Sequence, residues 1–375
     1  MRQAESALAA MQRAFFIPQG EAYITAARVG HIRDRSLFQF LDAPQAAAWD
    51  YSWALAALED VAALPGGQRY LPLVRQVTNG LQAYWDAGAV PPAYAPTPNP
   101  GASAVKYFDD NAWVGLDLVT AWRLTGDRAY LLRAEAVMRY EQSGWDAAGG
   151  GIWWSDARTY RNTAANAPAA ELAARLYLAT GQRAYLAFAE RVYAWERTTL
   201  TQPDGWVADG IGTLNLPVDV HEAQYTYNYG AVIGAATELY RATHAAAYLA
   251  EARRVAAYAL AHLRQPDGAW LPQARFNGVL ADDLLLLLRQ GGVPEVRSAL
   301  LRNAALLWAH DRAADGLSGS NWNGPPPEGT VQLLTETGAV RTLAVAAQAA
   351  ALPRAGQGTP PHRAGGGKDS EPPQG

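Results

Sequence analysis

The chain has 375 residues, half of them hydrophobic, enough to bury one large core or two ordinary ones. With 31 basic residues against 35 acidic the net charge is −4, and with no basic stripe nothing invites nucleic acid or an anionic membrane surface. Cysteine is absent, which excludes disulfides, thiolate metal sites and cysteine nucleophiles.

The first 20 residues, MRQAESALAAMQRAFFIPQG, carry Arg2, Glu5 and Arg13 and lack the unbroken apolar stretch of a secretion signal. As it stands the chain reads as cytoplasmic; a start lying upstream would make it secreted. The longest apolar run, LLLLL at 284–288, is too short to span a bilayer.

Apolar residues recurring three and four apart predict one set of amphipathic helices starting near Ala4, Gln68, Asp127, Gln182, Ala245 and Pro294. Four of them are copies of one another: LTGDRAYLLRAEAVMRY, ATGQRAYLAFAERVYAW and ATHAAAYLAEARRVAAY, with PGGQRYLPLVRQVTNGLQAYW as a looser version. Their matching tyrosines, Tyr70, Tyr130, Tyr185 and Tyr248, lie 60, 55 and 63 residues apart. Between the copies a second, more apolar set is expected near Ala46, Asp109, Arg161, Glu222, Arg275 and Gln332. Six helical hairpins of this kind close most naturally into an all-α (α/α)6 barrel with the apolar set inside. Residues 1–352 read as one catalytic domain, and the Gly- and Pro-rich stretch 353–375 as a disordered tail. The links leading into the inner helices are long and rich in Gly, Trp and Asp, so they gather at one mouth, where function is expected.

The stretch YFDDNAW, residues 107–113, puts two acids at the start of the second inner helix. A bare Asp-Asp pair is by default a helix cap. Two carboxyl groups this close cannot ionise with equal ease, and burial among Tyr107, Phe108 and Trp113 raises the pKa of the less solvated one. One carboxylate beside one carboxylic acid is what glycoside hydrolysis uses. A second pair, Asp282 and Asp283, reads as a solvated helix end. The six histidines show neither HxxxH nor HxH spacing and no nucleotide-binding glycine motif is present, so neither metal nor cofactor is expected.

Taken in order, YFDDNAWVGLDLVTAWRLTGD, GGGIWWSD, RNTAANAPAAELAARLYLATG, DGWVADG and YTYNYGAVIGAATELYRAT closely resemble glycoside hydrolase family 76, over about residues 45–350. That family holds endo-acting α-1,6-mannanases and related fungal cell-wall proteins on an (α/α)6 barrel. The resemblance implies retaining hydrolysis of α-1,6-linked mannan or manno-oligosaccharides, with Asp109 the nucleophile and Asp110 the general acid/base. It suggests a sugar-binding mouth drawn from Asp50, Tyr107, Asn111, Trp113, Trp153, Trp154, Asn162, Asn166, Tyr227, Asn228 and Trp322, of which Asn162, Asn166, Tyr227 and Asn228 read equally as capping or packing residues, Trp113 as core packing and Trp322 as a turn residue. Asn111 could bond a sugar hydroxyl or orient a carboxylate, and one of Trp153 and Trp154 is expected to be a stacking platform. Where the family has TYNQG this chain has Tyr229 in place of the glutamine, which could reshape a subsite. A monomer is expected. The rivals are a transglycosidase or non-catalytic glycan-binding protein of the same family, and an uronide hydrolase or epimerase on the same barrel; Arg158, Arg161 and Arg275 keep the uronide option open.

Overall fold

The structure, a computed structural model, describes residues 1–30, 45–101, 104–212 and 223–353. All but the first residue of the expected disordered tail therefore lie outside the described residues. Twelve helices follow one another among the described residues: α1 (Arg2–Phe15), α2 (Ala48–Ala62), α3 (Leu71–Gly80), α4 (Phe108–Thr125), α5 (Arg128–Ser143), α6 (Thr163–Thr180), α7 (Arg183–Thr199), α8 (Thr226–Thr243), α9 (Ala246–His262), α10 (Ala274–Arg289), α11 (Glu295–His310) and α12 (Leu333–Ala351). Every expected start falls within four residues of an observed one.

The even-numbered helices close a ring: α2 packs on α4, α4 on α6, α6 on α8, α8 on α10, α10 on α12 and α12 back on α2. The odd-numbered helices pack outside it, giving the (α/α)6 barrel. Burial follows this division. In α6, 13 of 18 residues are buried, against 6 of 17 in α7, which covers it from outside. Small residues let the inner backbones approach: a Cβ at Gly338 of α12 would overlap the Ala274 carbonyl of α10.

Each turn from an inner to an outer helix is short. Gly126 and Gly181 end α4 and α6 at φ +73°, and His244 takes the same left-handed place after α8 at φ +58°. This is the Gly-containing turn of the sequence repeat. The longer links at the other end carry short strands: β1 (Phe16–Ile17), β2 (Ala22–Tyr23), β3 (Ala26–Arg28), β4 (Trp85–Asp86), β5 (Ala93–Tyr94), β6 (Tyr160–Asn162), β7 (Gly210–Gly212) and β8 (Thr330–Gln332). Two of the antiparallel pairs are not local hairpins. β3 pairs with β8 across nearly the whole chain, and β6 with β7 joins the links that enter α6 and α8.

At the floor, where the inner helices end, seven acids and five arginines line a cavity of about 370 Å³. Arg341 chelates Asp282 and lies 3.5 Å from Asp60, while Arg175 bridges Glu171 at 2.5 Å and Glu238 at 3.3 Å. The Asp282–Asp283 pair is therefore no solvated helix end. It sits inside α10 with Asp283 5% exposed, because residues past the middle of an inner helix face the floor.

Carboxyls outnumber guanidinium groups here, so burial pushes several upward. Asp117 is raised to about 7, chiefly by burial against the opposing pull of Ser52, Arg341 and Arg175, and Glu59 and Asp283 are raised as well, by burial first and then by neighbouring acids. A carboxyl whose folded pKa lies above its unfolded value of about 4 holds a proton that the unfolded chain has released, so its stabilising effect is full below pH 4 and lost as pH rises through the folded value. Thermal unfolding should therefore show Tm falling steadily from pH 4.5 to pH 8, with a shallower fall in Asp117→Asn. A Tm that climbs over that range would contradict the burial of these acids.

Candidate active site

The mouth is built from helix openings. In α4, Tyr107 is the extended N-cap residue, Phe108 stacks at 4.3 Å on Tyr140 of α5, and Asp109 and Asp110 are the second and third helical residues. Both acids are half-buried, at the end of the helix where the dipole and free backbone N–H groups favour negative charge. They are held differently. Oδ1 of Asp109 accepts from the backbone N–H of Asp110 at 3.0 Å and Oδ2 from Nε1 of Trp154 at 2.8 Å. Among the described residues Asp110 has no such donor.

Electrostatics follow from that asymmetry. Burial pushes Asp109 up to about 6, held back by the Trp154 indole and the Asp110 amide. Asp110 is pushed well above the usual carboxylate range, by burial first and then by the charges of Asp109 and Asp50. Asp50 occupies the third position of α2, as Asp110 does in α4, and accepts from the N–H of Ala47 at 3.1 Å. A fourth mouth acid, Asp209, just before β7, accepts from the Tyr160 hydroxyl at 2.9 Å and from Nδ2 of Asn228 at 3.0 Å. Its charge acts on Asp109 and on Tyr227, whose hydroxyl pKa is raised by burial and by both acids. Reading the sequence passed over Asp209, although it stands in the DGWVADG motif; an irregular link carries no periodicity that would say which residue faces the mouth.

The structure thus brings Asp109, Asp110, Asp50, Trp154, Asp209 and Tyr227 into one electrostatic neighbourhood. Tyr107 stays beside it, its ring 5.0 Å from that of Trp154.

Other candidates are occupied elsewhere. Asn111 is fully buried: Nδ2 donates to the carbonyls of Tyr94 and Tyr107 at 2.9 Å each, and Oδ1 accepts from the Tyr94 N–H at 2.8 Å. Asn166 repeats this clamp in α6 on both backbone groups of Ile152 and on the Asn162 carbonyl, while the Asn162 side chain caps the helix. With both amide ends spent on backbone, Asn111 and Asn166 position loops. Trp113, 7% exposed, packs edge-on against Trp53 and separates the mouth from the floor cavity that it lines. Trp322 is 2% exposed against Trp270, so it belongs to the core and not to the rim.

Arg161 lies 4.8 Å over the Trp153 ring and pairs with Asp146 at 3.0 Å, so one face of that ring is covered and the Arg161 charge is already paired. Tyr229 points away from the mouth, stacking on Tyr258 of α9 and accepting from the Val207 N–H at 3.2 Å. Among the described residues no group of three or more acids or histidines is arranged to hold a metal ion, and no helix is long and apolar enough to cross a membrane.

A ring of six helical hairpins with two neighbouring carboxyls of unlike basicity at its mouth is the arrangement of an (α/α)6 glycoside hydrolase. The family model described as glycosyl hydrolase family 76 matches residues 22–353, and the chain belongs to that family. It is 31% identical over 157 residues to mannan endo-1,6-alpha-mannosidase DCW1 of Candida albicans, covering 38% of this chain and 35% of that one. To DFG5 of Saccharomyces cerevisiae, of the same description, it is 33% identical over 129 residues, 32% of this chain and 28% of that one. The alignments thus span about a third of the length of these curated relatives. Among solved structures, an inactive variant of the α-1,6-mannanase of Salegentibacter sp. HEL1_6 in complex with α-1,6-mannotetrose superposes with a TM-score of 0.78 at 24% identity, over 93% of this chain and 98% of that one. A family 76 mannosidase of Bacteroides thetaiotaomicron gives 0.80 at 22% identity, over 92% and 97%. At these identities the likeness is one of fold.

The clamp assignment makes a prediction. Asn111→Ala removes three buried hydrogen bonds to backbone and should lower unfolding stability in urea by about 3 kcal/mol. A stability within about 0.5 kcal/mol of the parent would return Asn111 to the candidates for sugar contact.

Proposed function

We propose that this chain hydrolyses α-1,6-mannosidic linkages in mannan or manno-oligosaccharides with retention of anomeric configuration. The observation that carries this reading is the unequal holding of Asp109 and Asp110 at the mouth. Support comes from membership of family 76, from the endo-1,6-alpha-mannosidase description of the curated relatives, and from a neighbour whose inactivating substitutions fall on two consecutive aspartates.

In the first step the Asp109 carboxylate attacks the anomeric carbon. The C1–O6 bond breaks, and its electron pair leaves on O6, which takes the proton of Asp110. The mannosyl unit is then an ester of Asp109, and Asp110 is ionised. In the second step Asp110 takes a proton from water, whose oxygen attacks C1 and releases Asp109 as carboxylate, so both acids return to their starting state. Adjacent residues on a helix-opening turn can supply the roughly 5 Å carboxyl separation that retention asks for. Asp209 and Asn228, bonded to each other, stand beside the pair as candidates for holding sugar hydroxyls.

The test is product analysis on linear α-1,6-mannan and α-1,6-mannotetraose. Shorter products that begin as the α-anomer are expected from the parent. Asp110→Asn should lower the rate by about 10²–10⁴-fold, and Asp109→Asn should abolish turnover. Products longer than the substrate would assign transfer instead, and cleavage surviving both substitutions would overturn the reading. The pH profile has a definite sign: kcat/KM should rise as pH increases through about 6, where Asp109 ionises, and fall at higher pH as Asp110 loses its proton. A profile still rising at pH 9 would contradict Asp110 as the acid.

A further inference from the structure

We propose that Trp154 is a positioning residue that decides which of the two neighbouring aspartates attacks, its indole N–H holding Asp109 as the anion. This rests on the hydrolase reading above and deepens it, because family resemblance offers Trp154 only as a stacking platform for sugar.

The observations that carry it are geometric. Trp154 is tied to the opening of α4 twice over. Its carbonyl accepts from the N–H of Phe108 at 2.9 Å, and its Nε1–H donates to Oδ2 of Asp109 at 2.8 Å. Its own N–H is anchored to the Tyr160 carbonyl at 2.7 Å, and its ring is wedged between Tyr107 at 5.0 Å and Tyr160 at 6.4 Å. The side chain therefore has one orientation, with the donor aimed at one oxygen of one acid. The loop that delivers it needs glycines: Gly150 and Gly151 have φ of +72° and +79°, and a Cβ on either would strike the Trp195 ring at 2.6 Å.

Among the described residues the other donor to Asp109 is the Asp110 backbone N–H, which belongs to the helix itself; Trp154 is the side chain that makes the distinction. Among the described residues the ionisable groups whose charges couple to the pair are acidic or phenolic: Asp50 on α2, which acts on Asp110, and Tyr140 and Glu141 on α5, Asp209 before β7 and Tyr227 on α8, which couple to Asp109. The acids among them raise the cost of an anion at the pair, and none of these groups is a cation. A hydrogen bond to a charged carboxylate favours ionisation of its acceptor by about tenfold to a hundredfold, equivalent to about one to two pH units.

Trp154→Phe keeps the ring between Tyr107 and Tyr160 and removes only the donor. The midpoint of the Asp109 side-chain carboxyl, followed by 13C NMR and assigned with Asp109→Asn, should rise by about one to two pH units in this variant. In the parent protein the Trp154 indole N–H resonance should titrate with the same midpoint as Asp109 and stop titrating in Asp109→Asn. The rising limb of kcat/KM against pH should move upward with the carboxyl, at unchanged KM. An unmoved Asp109 midpoint, an indole resonance indifferent to Asp109, or a uniform rise in KM would overturn the proposal and leave Trp154 as a sugar platform. Should Trp154→Phe fail to fold, the indole titration in the parent decides alone. A parent protein that cleaves no mannan would sink the hydrolase reading, while the two NMR midpoints would still report on Trp154.

Discussion

Closure of the ring by the α12–α2 contact is the constraint on which everything else depends. Once six inner helices stand side by side and run the same way, their N-termini converge on one end and their C-termini on the other. The ends are electrically unlike, partly positive at the mouth and partly negative at the floor. The acids at helix openings, Asp50, Asp109 and Asp110, stand where that field lowers the cost of negative charge. Arg123, Arg241 and Arg289, in the last turns of α4, α8 and α10, stand where it favours cations. The floor also carries more carboxyls than arginines, and the surplus is accommodated by proton retention, since a neutral acid is far cheaper to bury than an unpaired anion.

The barrel was legible in the sequence because its repeat is local. Tyr130, Tyr185 and Tyr248 mark the same turn of successive outer helices, and the Gly126 and Gly181 turns before them announce a left-handed helix end. Helix periodicity then separated outer from inner, since α6 is apolar nearly all round and α7 along one stripe. The mouth was half legible for the same reason. Asp109 and Asp110 are fixed by a helix start, which has a signature. Asp209 hangs on an irregular link whose geometry comes from pairing β7 with β6, about 50 residues earlier, and no local pattern encodes that.

Four of the candidate residues are taken up by packing or by backbone. Asn111, Asn166, Trp113 and Trp322 are polar-edged side chains beside the motif, and a sugar-binding mouth is made of the same types. What separates the two uses is partner availability. Asn111 and Asn166 meet two backbone groups each because four residues of helix bring the amide level with the incoming link, a three-dimensional coincidence repeated in two hairpins. Asp282 and Asp283 show the converse. An acidic pair ahead of a leucine run looks solvated, yet an inner helix has no solvent side, so the pair meets Arg341 and Glu171 instead.

Two identical side chains in consecutive positions pose a problem that a helix end alone cannot solve. The dipole and the free amides act on both members of the first turn, so they lower the cost of charge there without choosing between the two acids. Their mutual repulsion ensures that only one ionises readily, but repulsion is symmetric and does not name which. A choice requires a short-range, directional interaction reaching one carboxyl and not the other. Asp109 receives two donors and Asp110 none among the described residues, and one of those two, the Asp110 amide, comes from the helix itself. The other is imported by a glycine-bearing loop that is closed under Trp195 and anchored to β6. The asymmetry between the acids thus depends on the link that enters α6, outside the helix that carries them, which explains why it cannot be deduced from YFDDNAW alone.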